Sequence, residues 1–106
     1  MMLLTKEIKA KAIKQYPQGS DFGQMVVAKF FDPMGSWKWF LMNLDPEDES
    51  YAWGIVKDFE VESGSFSMDE LKAYRGRFGL GIERDLHFTP RPAKEIWDKL
   101  HRGEHV

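Results

Sequence analysis

Apolar residues recur every three or four positions at both ends of the chain and every second position through much of its middle. Ile8, Ala12, Ile13 and Tyr16 line one side of an expected first helix. Thr5 is placed to accept a hydrogen bond from a free first-turn amide, and Pro17 and Gly19 stop the helix. At the far end, Ala93, Ile96, Trp97 and Leu100 form the stripe of a last helix, opened by Thr89-Pro90-Arg91-Pro92 and stopped near Gly103.

Between them the period drops to two. Residues 24–32 predict a strand, Pro33-Met34-Gly35-Ser36 a turn, and residues 37–44 a second strand closing a hairpin. In the second strand Trp37, Trp39 and Leu41 alternate with Phe40, Met42 and Leu44. Both faces are apolar, so this strand is expected to be central and covered on both sides. A polar turn over residues 45–50 leads to a third strand over 51–58, in which Tyr51, Trp53 and Ile55 oppose Ala52, Gly54 and Val56. A mid-strand glycine, Gly54, signals a bulge or a close backbone approach. Residues 59–66 are less regular and predict a bend with a short fourth strand.

Ser67-Met68-Asp69-Glu70 fits a capping box, with Phe66 and Leu71 at the two positions of a hydrophobic staple. A short helix is expected from there to about Arg75-Gly76. Residues 82–88 alternate again: Ile82, Arg84, Leu86 and Phe88 share one face, and Glu83, Asp85 and His87 the other. The fold expected is a single α+β domain over residues 1–106. It has a mainly antiparallel sheet of four or five strands, with the N-terminal and C-terminal helices packed on it.

Composition narrows the function classes. The 106 residues are 42% hydrophobic and 30% charged, ordinary for a globular domain, and a net charge of −2 points to neither nucleic acid nor membrane. The absence of cysteine removes disulfides, thiolate metal sites and cysteine nucleophiles, and it fits a reducing, cytoplasmic location. The opening Met-Met-Leu-Leu-Thr-Lys-Glu turns charged too early for a secretory signal, and no stretch approaches the ~20 apolar residues of a membrane span.

Candidate chemistry is sparse. Glu83, Asp85 and His87 form a row of two carboxylates and an imidazole, the residue types that bind a divalent metal or share acid–base work. A solvent-facing strand edge has the same composition, and no HExxH-type motif supports a metal, so neither metal nor cofactor is expected. Arg84 falls on the apolar face. A buried guanidinium needs a carboxylate or carbonyl partner, which Glu62 or Asp58 would supply. The residue then acts as a structural pair or as the floor of an anion pocket. The acidic loop at 45–50 lacks EF-hand spacing, and Gly79-Leu80-Gly81 lacks the third glycine of a dinucleotide fingerprint. Gly64-Ser65-Phe66-Ser67 is explained by the helix cap, and no G-x-S-x-G elbow occurs. Lys6, Lys9, Lys11 and Lys14 are expected to form a solvated helix face; with Arg75 and Arg77 they would be the contacts of a nucleic-acid binder. The aromatics Phe30, Phe31, Trp37, Trp39, Tyr51, Trp53 and Trp97 could stack bases, but without a dense basic strip core packing is their expected use, and a surplus left exposed would mark a protein-binding patch.

Motifs spread along the chain carry a resemblance. They are Leu3-Leu4-Thr5-Lys6-Glu7, Lys29-Phe30-Phe31-Asp32-Pro33, Trp39-Phe40-Leu41, Leu44-Asp45-Pro46-Glu47-Asp48, Ala52-Trp53-Gly54, Glu62-Ser63-Gly64 through Glu70-Leu71, and residues 82–88. In these the chain resembles a family of small proteins of unknown function, numbered 2958 among such domains. Trp53 stands where that family leads one to expect a smaller aromatic. The resemblance implies an accessory gene of a plasmid, phage or other mobile element, and it brings no catalytic residue to carry over. Three functions follow as expectations: a non-enzymatic module that binds another protein, a hydrolase using Glu83, Asp85 and His87, and a nucleic-acid binder using the lysine face. The first leads. Partner identity and oligomeric state stay open.

Overall fold

The structure, a computed structural model, describes residues 2–106; Met1 of the opening segment lies outside them. Helix α1 (Lys6–Lys14) starts at Thr5, whose Oγ1 accepts from the Ile8 amide at 3.1 Å. It ends before Tyr16, which turns into a short 3-10 segment. Strands β1 (Met25–Val26) and β2 (Ala28–Phe31) follow, then β3 (Lys38–Leu44), β4 (Tyr51–Lys57), β5 (Val61–Ser67), α2 (Met68–Ala73), β6 (Glu83–Arg84), β7 (Arg91–Pro92) and α3 (Ala93–His101). The main sheet runs β5-β4-β3-β2-β6 with every neighbouring pair antiparallel, and β1 pairs with β7 in a separate two-stranded ribbon. This is the expected α+β domain, with five strands in the main sheet.

The central strand buries both faces. Trp39, Leu41 and Leu44 pack with Leu3, Leu4, Ala12, Phe30, Met68 and Leu71 beneath α1 and α2. Phe40 and Met42 pack with Val26, Ile55, Ala93, Ile96 and Leu100 beneath α3. Leu44 therefore lies opposite to where strict alternation puts it. The cause is a β-bulge: Leu41 pairs with Gly54 but Asn43 with Trp53, so Met42 is an extra residue and the parity flips. The bulge buries Asn43, whose Nδ2 donates to the Gly19 carbonyl and to Gln24 Oε1, each at 2.9 Å. Gln15 Nε2 donates to the Met42 carbonyl at 2.6 Å, so the irregular backbone is satisfied from within.

Three expected strands change their extent. Residues 24–32 do not form one strand. The chain switches sheets at Val27, pairing first with β7 and then with β3. Residues 59–66 give a turn and then a full seven-residue strand, because β4 supplies a continuous pairing template from Lys57 to Tyr51. Residues 82–88 form only a two-residue ladder. Asp85 then accepts from the His87 amide at 2.9 Å, and this local side-chain bond turns the chain away from the sheet. Among the described residues no helix is long and apolar enough to cross a membrane.

Candidate functional site

The early turn scatters the row expected from alternation. Glu83 stays on β6, opposite Phe31. Asp85 pairs with Lys29 on β2 at 3.4 Å, and Lys29 Nζ also donates to the Val106 backbone oxygen at 2.6 Å. His87 sits in the turn, exposed. Among the described residues no three His, Cys, Asp or Glu side chains converge as a metal site would require. Arg84 keeps the expected face, opposite Phe30, and is partly buried. Its Nη1 reaches the carbonyls of Met2 at 2.5 Å and Leu3 at 3.2 Å. Glu62 lies on β5, at the opposite edge of the five-stranded sheet, and Asp58 lies in the β4–β5 turn. Neither is the partner expected for Arg84: the guanidinium pins the N-terminal segment rather than the far side of the sheet.

The lysine face of α1 is charge-mixed. Lys9 pairs with Glu49 at 3.1 Å and Lys11 with Glu7 at 3.5 Å.

A different constellation forms where the β2–β3 turn meets the end of α2. Asp32 organises that turn: its Oδ1 accepts from the Met34 amide at 3.0 Å, and its own amide donates to the Trp37 carbonyl at 3.1 Å. Trp37 leaves the turn beside Trp39, their rings stacked with centroids 5.8 Å apart and planes 27° apart. Trp39 is anchored in the core, so it holds Trp37, 42% exposed, in a fixed place. From the other side, Tyr74 follows the last turn of α2 and donates through its hydroxyl to Asp32 Oδ2 at 3.3 Å. Glu70, one helical turn earlier, faces the same way, and Leu71 and Ile82 complete the lining. These residues enclose a cleft of about 270 Å³. A wider depression of about 400 Å³ adjoins it through Ile82, lined by Leu3, Lys72, Arg75, Gly81 and Glu83.

The lining of the aromatic cleft carries two carboxylates, Asp32 and Glu70, and no basic side chain. The Asp32 charge beside Tyr74, with partial burial and the hydrogen bond between them, raises the phenol above its ordinary value. Among the described residues neither Asp32 nor Glu70 has a Lys or Arg partner within 4.0 Å. Glu70 was expected to close the capping box on Ser67. Only half of the box forms: the Glu70 amide donates to Ser67 Oγ at 3.2 Å, while Ser67 belongs to the β4–β5 ladder opposite Tyr51. The Glu70 carboxylate is thereby left to the cleft. Apolar side chains stand exposed on the two bordering connections: Met34 at 48%, Leu80 at 39% and Phe78 at 83%. Phe78 has a left-handed backbone, φ 59°, a conformation that costs a large L-residue energy and recurs at functional surfaces.

Sequence reading singled out none of Asp32, Glu70 or Tyr74 as a site residue. The available signal was Trp37, an aromatic next to a Pro-Gly turn, where a strand end emerges from the core.

No curated protein and no solved structure matches the chain. Residues 3–104 match the family described as a protein of unknown function, DUF2958, and the chain belongs to that family.

Proposed function

We propose that this chain is a non-enzymatic, cytoplasmic accessory protein of a mobile element that acts by binding another protein, and that the cleft of Trp37, Trp39 and Tyr74 is its contact surface. The observation that carries this reading is a pair of half-exposed aromatic rings, Trp37 at 42% and Tyr74 at 43%, facing one cleft, the first stacked on Trp39 and the second hydrogen-bonded to Asp32. Rigid aromatics supply large contact area at small conformational cost, which is why they dominate interface energetics. Met34, Phe78 and Leu80 add exposed apolar side chains on the two connections that border the cleft.

Affinity-tagged wild-type and Trp37→Ala chains, expressed in the native host and compared by mass spectrometry, test the reading. The expected result is a protein retained by the wild type and lost by the variant. The purified pair should then bind directly, with both chains equally folded by circular dichroism. Equal retention by both chains, or no direct binding between the purified components, would overturn it.

A further inference from the structure

We infer that the aromatic cleft receives an arginine side chain of the partner protein. The inference rests on the protein-binding reading and deepens it. Three aromatic residues and two carboxylates line one small cavity: Trp37, Trp39, Tyr74, Asp32 and Glu70. An aromatic face attracts a cation through its quadrupole, and a nearby carboxylate adds direct charge pairing. Both carboxylates lack an intramolecular cation among the described residues, although basic side chains are close in the fold.

Among the described residues none of those neighbours pairs with either carboxylate within 4.0 Å. Arg75 Nη1 donates to the carbonyls of Lys72 at 3.0 Å and Tyr74 at 2.7 Å. Lys38 stands between Trp37 and Trp39 in sequence, so its side chain projects from the opposite face of β3. The cleft is thus an aromatic hollow whose two carboxylates form no ion pair among the described residues, although Lys29 and Lys38 line an adjoining hollow that shares Asp32 and Trp37.

Arginine fits better than lysine. A planar guanidinium stacks on an indole while its edge meets carboxylates in a fork, whereas a compact ammonium has no plane to stack, no fixed fork and more hydration to lose. Asp32 is already oriented by the Met34 amide and the Tyr74 hydroxyl, and Glu70, exposed on α2, lines the same cleft.

The probe is N-acetyl-arginine N-methylamide, titrated into isotope-labelled protein and followed by NMR at the Trp37 indole and the Tyr74 ring. The citrulline analogue, equal in shape but uncharged, is the control. The expected result is a saturable shift at both residues, about tenfold weaker binding for citrulline, and loss of that preference in the Asp32→Asn, Glu70→Gln double variant. Asn keeps an acceptor for the Met34 amide, and an unchanged backbone spectrum checks the fold. Equal binding of the arginine and citrulline probes, or no shift at Trp37, would overturn the inference. The protein-binding reading fails separately. If a partner released by Trp37→Ala binds the double variant as tightly as the wild type, the arginine assignment is wrong while the contact surface stands.

Discussion

A Cβ placed on Gly54 would lie 2.0 Å from the Phe40 carbonyl oxygen and 3.0 Å from its carbonyl carbon. The obstacle is backbone of the central strand, beside the bulge at Met42, and no rotamer change removes it. Gly54→Ala should therefore force β3 and β4 apart and destabilise by about 3 kcal/mol or more. Gly64, paired directly with Gly54 on β5, meets nothing within 4 Å, so Gly64→Ala should fall within about 0.5 kcal/mol of wild type. Urea unfolding of the two variants checks the contrast, and similar midpoints would refute it.

The start of α2 offers a sharper test of one side chain against another. Ser67 Oγ accepts from the Glu70 amide at 3.2 Å and lies 3.0 Å from Ser50 Oγ, which accepts from the Asp69 amide at 3.0 Å. Two serines, one in the turn before β4 and one at the end of β5, thus serve adjacent free amides of one short helix. Ser67→Ala should cost about 1 kcal/mol. Ser50→Ala should cost a similar amount, and the double variant less than the sum, because the two hydroxyls share a hydrogen bond. Glu70→Ala should leave stability within about 0.5 kcal/mol, since the carboxylate does not close the box. A loss of about 1 kcal/mol or more on Glu70→Ala, not shared by Glu70→Gln, would show that the reciprocal bond forms in solution.

These elements separate what pattern reveals from what it hides. Periodicity located α1, α3 and the β3–β4 pair because each buries a continuous stripe, and burial is what imposes a period. The same logic misplaced Leu44, since one extra residue at Met42 reverses parity and no pattern of apolar residues announces a bulge. It overextended the strand after Gly81, because Asp85 captures the His87 amide locally and the alternation of Leu86 and Phe88 continues without a sheet to support it. Leu86 ends 66% exposed and Phe88 packs beneath α3. The cleft was hidden for another reason. Trp37, Asp32, Glu70 and Tyr74 come from two segments far apart in sequence, and only the antiparallel order β5-β4-β3-β2-β6 brings α2 back over the β2–β3 turn.

Arg84 ties the N-terminal segment to the edge of the sheet. Leu3 and Leu4 are buried, at 3% and 6% exposure, and the carbonyls of Met2 and Leu3 accept from the guanidinium. Arg84→Met removes that donor and strands carbonyls that are partly shielded from water. The expected cost is about 1–3 kcal/mol. The amides of Leu3 and Leu4 should exchange with solvent faster than those of β3, because local release precedes global unfolding. Glu62→Gln should be neutral. Unchanged exchange at Leu3 and Leu4 in the Arg84 variant would show that burial alone holds the segment.

Lys38 and Lys57 sit directly opposite each other on β3 and β4, with Lys29 on the same face of the sheet. Partial burial, then the charges of Lys29 and Lys57, lower the Lys38 ammonium below its ordinary value of 10.5. The native state therefore releases this proton earlier than the unfolded chain does. Below the native pKa both states are protonated and the full destabilisation stands. Between the native pKa and 10.5 the unfolded chain binds more protons, so this contribution to stability rises with pH until the penalty is gone. Lys38→Met should accordingly stabilise the fold at pH 7, by a few tenths to about 1 kcal/mol for removing a like-charged cross-strand pair. Its advantage should shrink as pH is raised toward 10.5. Lys57→Gln should move the Lys38 titration back upward by removing one of its two neighbouring charges. Urea unfolding of the Lys38 variant at neutral and alkaline pH, with NMR titration of the Lys38 side chain, measures both effects. A Lys38 midpoint at or above 10.5, or a stabilisation that grows with pH, would mean that the three lysines do not act on one another across this face.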